Sequence, residues 1–326
     1  MANIKRVELY KELPLETPYS LHIFSSYRCN FRCNYCLHSL PTETLKQKAF
    51  KKELMSFDIF KKAIDDLLDF PKSLKALIFA GHGEPLLQPE ITEMVAYAKE
   101  KNIAERVEIV TNASLLSNTM ADKLIKSGLD RLKISIQGID ADKYIKVSGI
   151  NIDFNEFISN IKYFYEHKTE TDVYIKIIDV ALENIEQEDT FCSIFSPICD
   201  HAAVEYAIPF IKEIEDSVYN KEFTKSKQGS ILSKARICSM PFYMMAIEPS
   251  GNVVPCCSTD RPISLGNINK NSLKGIWESE KLRQFLRLQL EDKDKNITCK
   301  SCSVPAFGLQ DGDYLDGHEE VLLMKY

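Results

Sequence analysis

No apolar run in this 326-residue sequence approaches the roughly 20 residues that a membrane-spanning helix needs. The opening Met1-Ala2-Asn3-Ile4-Lys5-Arg6 is not followed by an apolar h-region, so no secretory signal peptide is expected and the cytosol is the default compartment. Positive charge is in deficit: 41 Lys and Arg face 47 Asp and Glu, a net charge of −6. That balance argues against nucleic acid as a partner, because such binders carry a basic patch to meet phosphates. Internal repeats, heptad arrays and low-complexity segments are also lacking. What remains is an ordinary globular balance, 44% hydrophobic and 27% charged, long enough for about two domains.

The first two-thirds alternates strand-like and helix-like stretches. Strands are expected at Leu21–Ser25, Lys75–Ala80, Val107–Thr111, Arg131–Ile136, Asp172–Val180 and Ala202–Ala207. Helices are expected at Ser56–Phe70, Pro89–Lys101, Ser117–Ser127, Phe154–His167 and Glu183–Phe195. Ser56 reads as an N-cap, Pro89 as a first-turn residue and Gly128 as a stop. This rhythm predicts an α/β fold with a parallel sheet and right-handed crossovers. Six units are too few for a closed eight-stranded barrel, so a partial (β/α)6 barrel is expected, with ligands at the carboxyl ends of its strands. Residues 211–237 are charged and polar, with Glu215 and Asp216 among them, and read as a linker or solvated excursion between a core at 1–210 and a C-terminal unit at 238–326. There, Phe242–Glu248 and Asn252–Pro255 flank Pro249-Ser250-Gly251, a hairpin signal, and Leu273–Leu290 reads as one helix. Trp277 on that helix is expected in the core.

Ten cysteines stand at 29, 33, 36, 192, 199, 238, 256, 257, 299 and 302. Clustered cysteines in a cytosolic chain point to metal ligation more than to disulfides. Cys29, Cys33 and Cys36 follow the first strand with C-x3-C-x2-C spacing. Three thiolates can hold three irons of a four-iron cubane and leave the fourth iron open to a ligand, whereas a structural cluster takes four cysteines. A zinc knob completed by His38 is the plain alternative.

The spacing, with Tyr35 before the last cysteine, resembles the signature of the radical S-adenosylmethionine (SAM) superfamily. The resemblance implies a SAM-chelating 4Fe–4S cluster, reductive cleavage of SAM to a 5′-deoxyadenosyl radical, and hydrogen abstraction from a substrate carbon. Gly81-His82-Gly83-Glu84-Pro85 resembles the family's Gly-Gly-Glu-Pro motif. Gly83 would let the backbone approach SAM and Glu84 would accept from its ammonium; His82 stands where a glycine is usual and is a candidate to reach toward substrate. Thr111-Asn112-Ala113 resembles the Thr-Asn-Gly turn, and Ser135 and Gln137, on one side by alternation, match the positions that contact the SAM ribose. These motifs cover about residues 20–210.

Cys238, Cys256, Cys299 and Cys302 can close a second centre. Zinc is the plain alternative to iron and sulfide here. Gly251-Asn252-Val253-Val254-Pro255-Cys256-Cys257, with Leu265-Gly266-Asn267-Ile268 and Ile276-Trp277, resembles the SPASM/twitch extensions of the superfamily. The cysteine number fits the shorter twitch form with one auxiliary 4Fe–4S cluster, similar to that of aminocyclitol dehydrogenases. Glycine spacing favours Cys256 over Cys257 as the ligand. That leaves Cys257 as a candidate hydrogen-atom donor, whereas Cys192 and Cys199 are expected to pack. His22, His38, His167, His201 and His318 have no motif partner.

The implied activity is oxidation or epimerisation of a small polar metabolite such as a sugar or aminocyclitol, with electrons from a flavodoxin or ferredoxin-type donor. A peptide-modifying maturase is the second reading, although the strand at Leu21 leaves little room for a preceding leader-binding domain. A non-catalytic zinc adaptor is the third; it explains the cysteines but not Gly83-Glu84-Pro85 or Ser135 and Gln137.

Overall fold

Burial alternates residue by residue along the middle strands: Leu132, Ile134 and Ile136 are buried while Arg131, Lys133 and Ser135 are not, and Asp172–Ile178 repeats the pattern. One face of the sheet therefore meets helices and the other stays polar. The computed structural model describes residues 7–214, 218, 224–232, 235–310 and 312–326. Its strands are β1 (Ser20–Ile23), β2 (Ala76–Phe79), β3 (Val107–Thr111), β4 (Arg131–Ile136), β5 (Asp172–Ile178), β6 (His201–Glu205), β7 (Met244–Ile247), β8 (Asn252–Val254) and β9 (Gly266–Asn267).

β1 to β6 pair in parallel in chain order, and β6 does not return to close on the far edge, so the barrel is open. Helices Phe57–Asp66, Ile91–Lys101, Asn118–Lys126, Phe154–His167 and Ile185–Phe195 make the returns. Their starts follow local chemistry. Ser56 Oγ accepts from Ile59 N, Ser117 Oγ from Met120 N, and Asp153 Oδ1 from Asn155 N and Glu156 N. Each such cap is worth about 1 kcal/mol. Their apolar stripes join Leu21, Ile23, Leu77, Phe79, Ile109 and Leu132 in one core.

Three features differ from the sequence reading. First, the expected helix at Leu273–Leu290 is two, Leu273–Trp277 and Glu280–Asp292, because Ser279 turns the chain and caps the second by accepting from Leu282 N at 3.2 Å. Second, Ala141–Ser148 is an additional helix, capped by Asp140 and ended by Gly149 at φ +70°. Third, the hairpin does form, β7 against β8 antiparallel through Gly251 at φ +81°. However, β7 also pairs in parallel with β1, so a single nine-stranded sheet runs through both parts of the chain.

Within 211–237, Ile211 and Ile214 are buried with Leu37 and Leu45. Met1–Arg6, Glu215 and Asp216 lie outside the described residues. Trp277 is core-packed, its Nε1 donating to Leu15 O at 3.0 Å.

Candidate active site

The loop carrying Cys29, Cys33 and Cys36 leaves the carboxyl end of β1 and is tied down by its backbone. Arg32 N donates to Ser148 O and Asn34 N to Val147 O, both at 2.9 Å, at the end of the helix Ala141–Ser148. Cys36 N donates to Cys33 O at 2.9 Å, closing the turn that brings these cysteines together. Burial pushes the Cys29 thiol up to about 12, and the charges of Glu84 and Cys36 add to that. Cys33 and Cys36 are raised for the same first reason, burial. Thiols this hard to ionise bind protons until a metal displaces them.

Side chains from three strand ends brace the loop. Asn30 Nδ2 donates to Ser114 Oγ at 2.7 Å, and Asn112 Nδ2 donates to Asn30 Oδ1 at 2.9 Å. Ala113, where the related turn has glycine, sits at φ +57°, a conformation that a Cβ disfavours. Tyr35 Oη donates to Gln137 Oε1, and Gln137 Nε2 donates to Ser135 O at 3.1 Å. The structure thus gathers Tyr35, Asn112, Ser135 and Gln137 around the cysteine loop. Gly83 is required by close approach, since a Cβ there would run into the Ser26 carbonyl.

Glu84, expected from sequence to accept from the SAM ammonium, already accepts three hydrogen bonds from the protein. It is 2% exposed. Its Oε1 accepts from Leu86 N at 2.9 Å and Thr111 Oγ1 at 2.5 Å, and its Oε2 accepts from Asn112 N at 2.8 Å. Of about four lone-pair sites on a carboxylate, one on Oε2 is left. Glu84 therefore pins the β2 and β3 end loops to one another before it meets any ligand. Glu84→Gln is expected to lower stability by about 1–3 kcal/mol, because an amide NH2 would face an N–H or hydroxyl donor, and to weaken SAM binding through the displaced loops. Denaturation midpoints and SAM titration check this; an unchanged midpoint would remove the pinning role.

Cys238, Cys256, Cys299 and Cys302 line one small cavity, with Pro241, Pro262, Phe285 and Gln289 among its other walls. Burial raises all four thiols, Cys238 to about 12, and Cys302 charge adds to the rise at Cys238. Gln289 Nε2 donates to Cys299 Sγ at 3.5 Å. Among the described residues, no three His, Cys, Asp or Glu side chains converge as one metal ion would require. Four cysteines match the ligand number of a closed 4Fe–4S cluster and equally that of a structural zinc site.

Cys257 is not on that cavity. Its Sγ faces His22 Nδ1 at 3.5 Å, a contact between residues 235 apart that sequence reading missed. His22 lies on the polar face of β1, and burial holds it down to about 4, hence neutral. Burial pushes the Cys257 thiol up to about 12, hence protonated. Of the remaining cysteines, Cys192 is exposed and Cys199 is buried in the core. Among the other histidines, His38 Nε2 lies 2.8 Å from His82 O, and His167 and His318 stack on Tyr163 and Tyr10. His82 packs its ring 5.0 Å from Phe24, with its Nε2 buried and without a hydrogen-bond partner among the described residues.

Residues 23–191 match the radical SAM superfamily, and residues 238–303 match SPASM, an iron–sulfur cluster-binding domain. The chain is 26% identical over 322 residues to the tungsten-containing aldehyde ferredoxin oxidoreductase cofactor-modifying protein of Pyrococcus furiosus, covering 87% of this chain and 86% of that one. It is 24% identical over 339 residues to the AdoMet-dependent heme synthase of Methanosarcina barkeri, covering 88% and 91%. Among solved structures, BtrN in complex with AdoMet and 2-DOIA is similar, with a TM-score of 0.56 at 18% identity over 91% of this chain and 97% of that one. Streptococcus suis SuiB bound to precursor peptide SuiA is also similar, with a TM-score of 0.64 at 17% identity over 91% and 72%. At such identities the two structures speak for the fold alone. No helix among the described residues is long and apolar enough to cross a membrane.

Proposed function

The chain belongs to the radical SAM superfamily, and from that premise we propose that it oxidises an alcohol carbon of a small polar metabolite, a sugar or aminocyclitol, passing the second electron to an auxiliary cluster. The observation that carries this is the single cavity lined by Cys238, Cys256, Cys299 and Cys302. A radical SAM domain brings a 4Fe–4S cluster and SAM, which together supply a 5′-deoxyadenosyl radical that takes hydrogen from carbon, and a SPASM domain brings further iron–sulfur.

The residues divide the work. Cys29, Cys33 and Cys36 hold the first cluster. Tyr35 keeps Gln137 and Ser135 turned toward the ribose. Gly83 opens the backbone to SAM, and Asn112 and Glu84 fix the loop that receives its amino acid part. Cys238, Cys256, Cys299 and Cys302 hold the second cluster. BtrN, solved in complex with AdoMet and 2-DOIA, shares the fold over 91% of this chain and 97% of that one. A flavodoxin or ferredoxin-type protein in the cytoplasm is the fitting electron donor, and the working division remains a core at 1–210 and an auxiliary unit at 238–326.

One observation favours a second reading, epimerisation: the Cys257 thiol is protonated, faces His22 and stands beside the second cavity without belonging to it. A hydrogen atom donated by the thiol to the substrate radical would invert the carbon and leave a Cys257 thiyl radical, which one electron from the flavodoxin or ferredoxin-type donor and one solvent proton return to the thiol. Turnover in D2O separates the two. Oxidation gives a product two mass units lighter than substrate, and Cys257→Ala leaves it intact. Epimerisation gives a product carrying one new non-exchangeable deuterium, and Cys257→Ala abolishes it. A cross-linked peptide product would overturn both.

A further inference from the structure

Among the described residues, two ammonium groups approach one carboxylate at the β5–β6 side of the sheet's polar face. Lys176 on β5 is in register with Ser135 on β4, so it shares that face just beside the proposed ribose position. Its Nζ lies 2.5 Å from Glu205 Oε2, with the two side chains 16% and 18% exposed. Lys227 approaches the same oxygen at 3.4 Å. The backbone holds Lys227 there: Tyr206 N donates to Lys227 O at 3.0 Å, and Lys227 N donates to Phe307 O at 2.9 Å. Lys133, two residues before Ser135, has Glu108 at 3.5 Å, but Arg106 and Arg131 also draw on Glu108, at 3.1 and 3.9 Å.

A ladder built only for stability pairs buried charges one to one, because an uncompensated one costs several kcal/mol. Among the described residues, buried Lys176 and half-exposed Lys227 share the one Glu205 carboxylate, two positive charges to one negative. Burial lowers Lys176 to about 8, and Lys227 and Lys133 lower it further against the pull of Glu205. The charge of Lys227 also acts on Cys257, and that of Lys133 on His22, whose Nδ1 faces the Cys257 thiol at 3.5 Å.

We infer that Lys176 and Lys227, with Lys133 behind them, form a binding site for an anionic group of the substrate, a carboxylate or a phosphate. Such an anchor holds one end of the substrate against β5 and β6 and leaves a carbon free between Ser135 and Cys257. The inference rests on the proposed reading that this face is the substrate space.

The test uses cluster-loaded full-length protein with inorganic phosphate or acetate, ionic strength held constant with sodium chloride. Reductive methylation of each lysine is followed by mass spectrometry, and anion affinity by calorimetry. Phosphate or acetate is expected to slow methylation of Lys176 about fivefold or more at saturation, relative to chloride. Lys227→Gln, at a 41% exposed side chain that tolerates the change, is expected to weaken anion binding about tenfold. Stronger protection by phosphate assigns a phosphate group and stronger protection by acetate a carboxylate. Protection no better than chloride, or unchanged affinity in Lys227→Gln, would overturn the site. Iron content and SAM binding are read on the same samples, so a failure of the two-cluster reading is visible separately from a failure of anion binding.

Discussion

Replacing Cys29, Cys33 and Cys36 together with Ala is expected to remove about half of the iron, about four of eight atoms per chain with four per cluster, and all SAM cleavage. The fold should survive. The loop is anchored by Arg32 N and Asn34 N on the carbonyls of Ser148 and Val147 and by Asn30 on Ser114 and Asn112, none of which uses a thiol. Only Cys33 among the three is deeply buried, so the truncations create little cavity. Iron and sulfide assays after anaerobic reconstitution, with chromatographic detection of 5′-deoxyadenosine, read the outcome. Zinc in place of iron, or full iron in the triple variant, would defeat the assignment of the first cluster.

The second large effect is expected at the opposite end of the chain. Cys299→Ala and Cys302→Ala should each leave the first cluster and uncoupled SAM cleavage in place while product formation falls by about a hundredfold or more, equivalent to about 2.7 kcal/mol of lost transition-state stabilisation. Apart from the bond that Gln289 Nε2 donates to Cys299 Sγ, local structure is held without the thiols. Asn296 caps the short helix Ile297–Lys300 by accepting from Thr298 N and Cys299 N, and Lys293 Nζ donates to Cys299 O at 3.3 Å. The decisive quantity is the ratio of product to 5′-deoxyadenosine. A ratio unchanged from the parent enzyme would mean that the second centre takes no part in the reaction.

Much of this was legible from sequence because the information is local. Val107–Thr111, Arg131–Ile136 and Phe154–His167 read correctly to the residue, since alternation and helical stripes are set by neighbours. The radical SAM and SPASM identities were carried by short motifs at strand ends. What escaped was set by distance. The contact between His22 and Cys257 joins β1 to the segment after β8, and neither residue has a local pattern that announces the other. The two ammonium groups on Glu205 come from β5 and from a segment some fifty residues further along, again without a spacing to read. The break at Ser279 was legible in principle, as a serine followed by Glu280 in a new first turn, but the apolar pattern runs through it and masks the cap. Glu84 was found by motif, but its partners Thr111 and Asn112 became visible only once β2 and β3 lay side by side.

The parallel pairing of β7 with β1 has a consequence for which margin of the sheet is left unpaired. β1 is flanked by β2 and β7, and its four residues are in register with both. Were the auxiliary segment absent, β1 would present a row of unsatisfied N–H and C=O groups beside the cysteine loop, an open template for strand addition by another chain. The hairpin therefore acts as a covering flap: it moves the exposed margin of the sheet outward to β9, which is only two residues long and too short to recruit a partner strand.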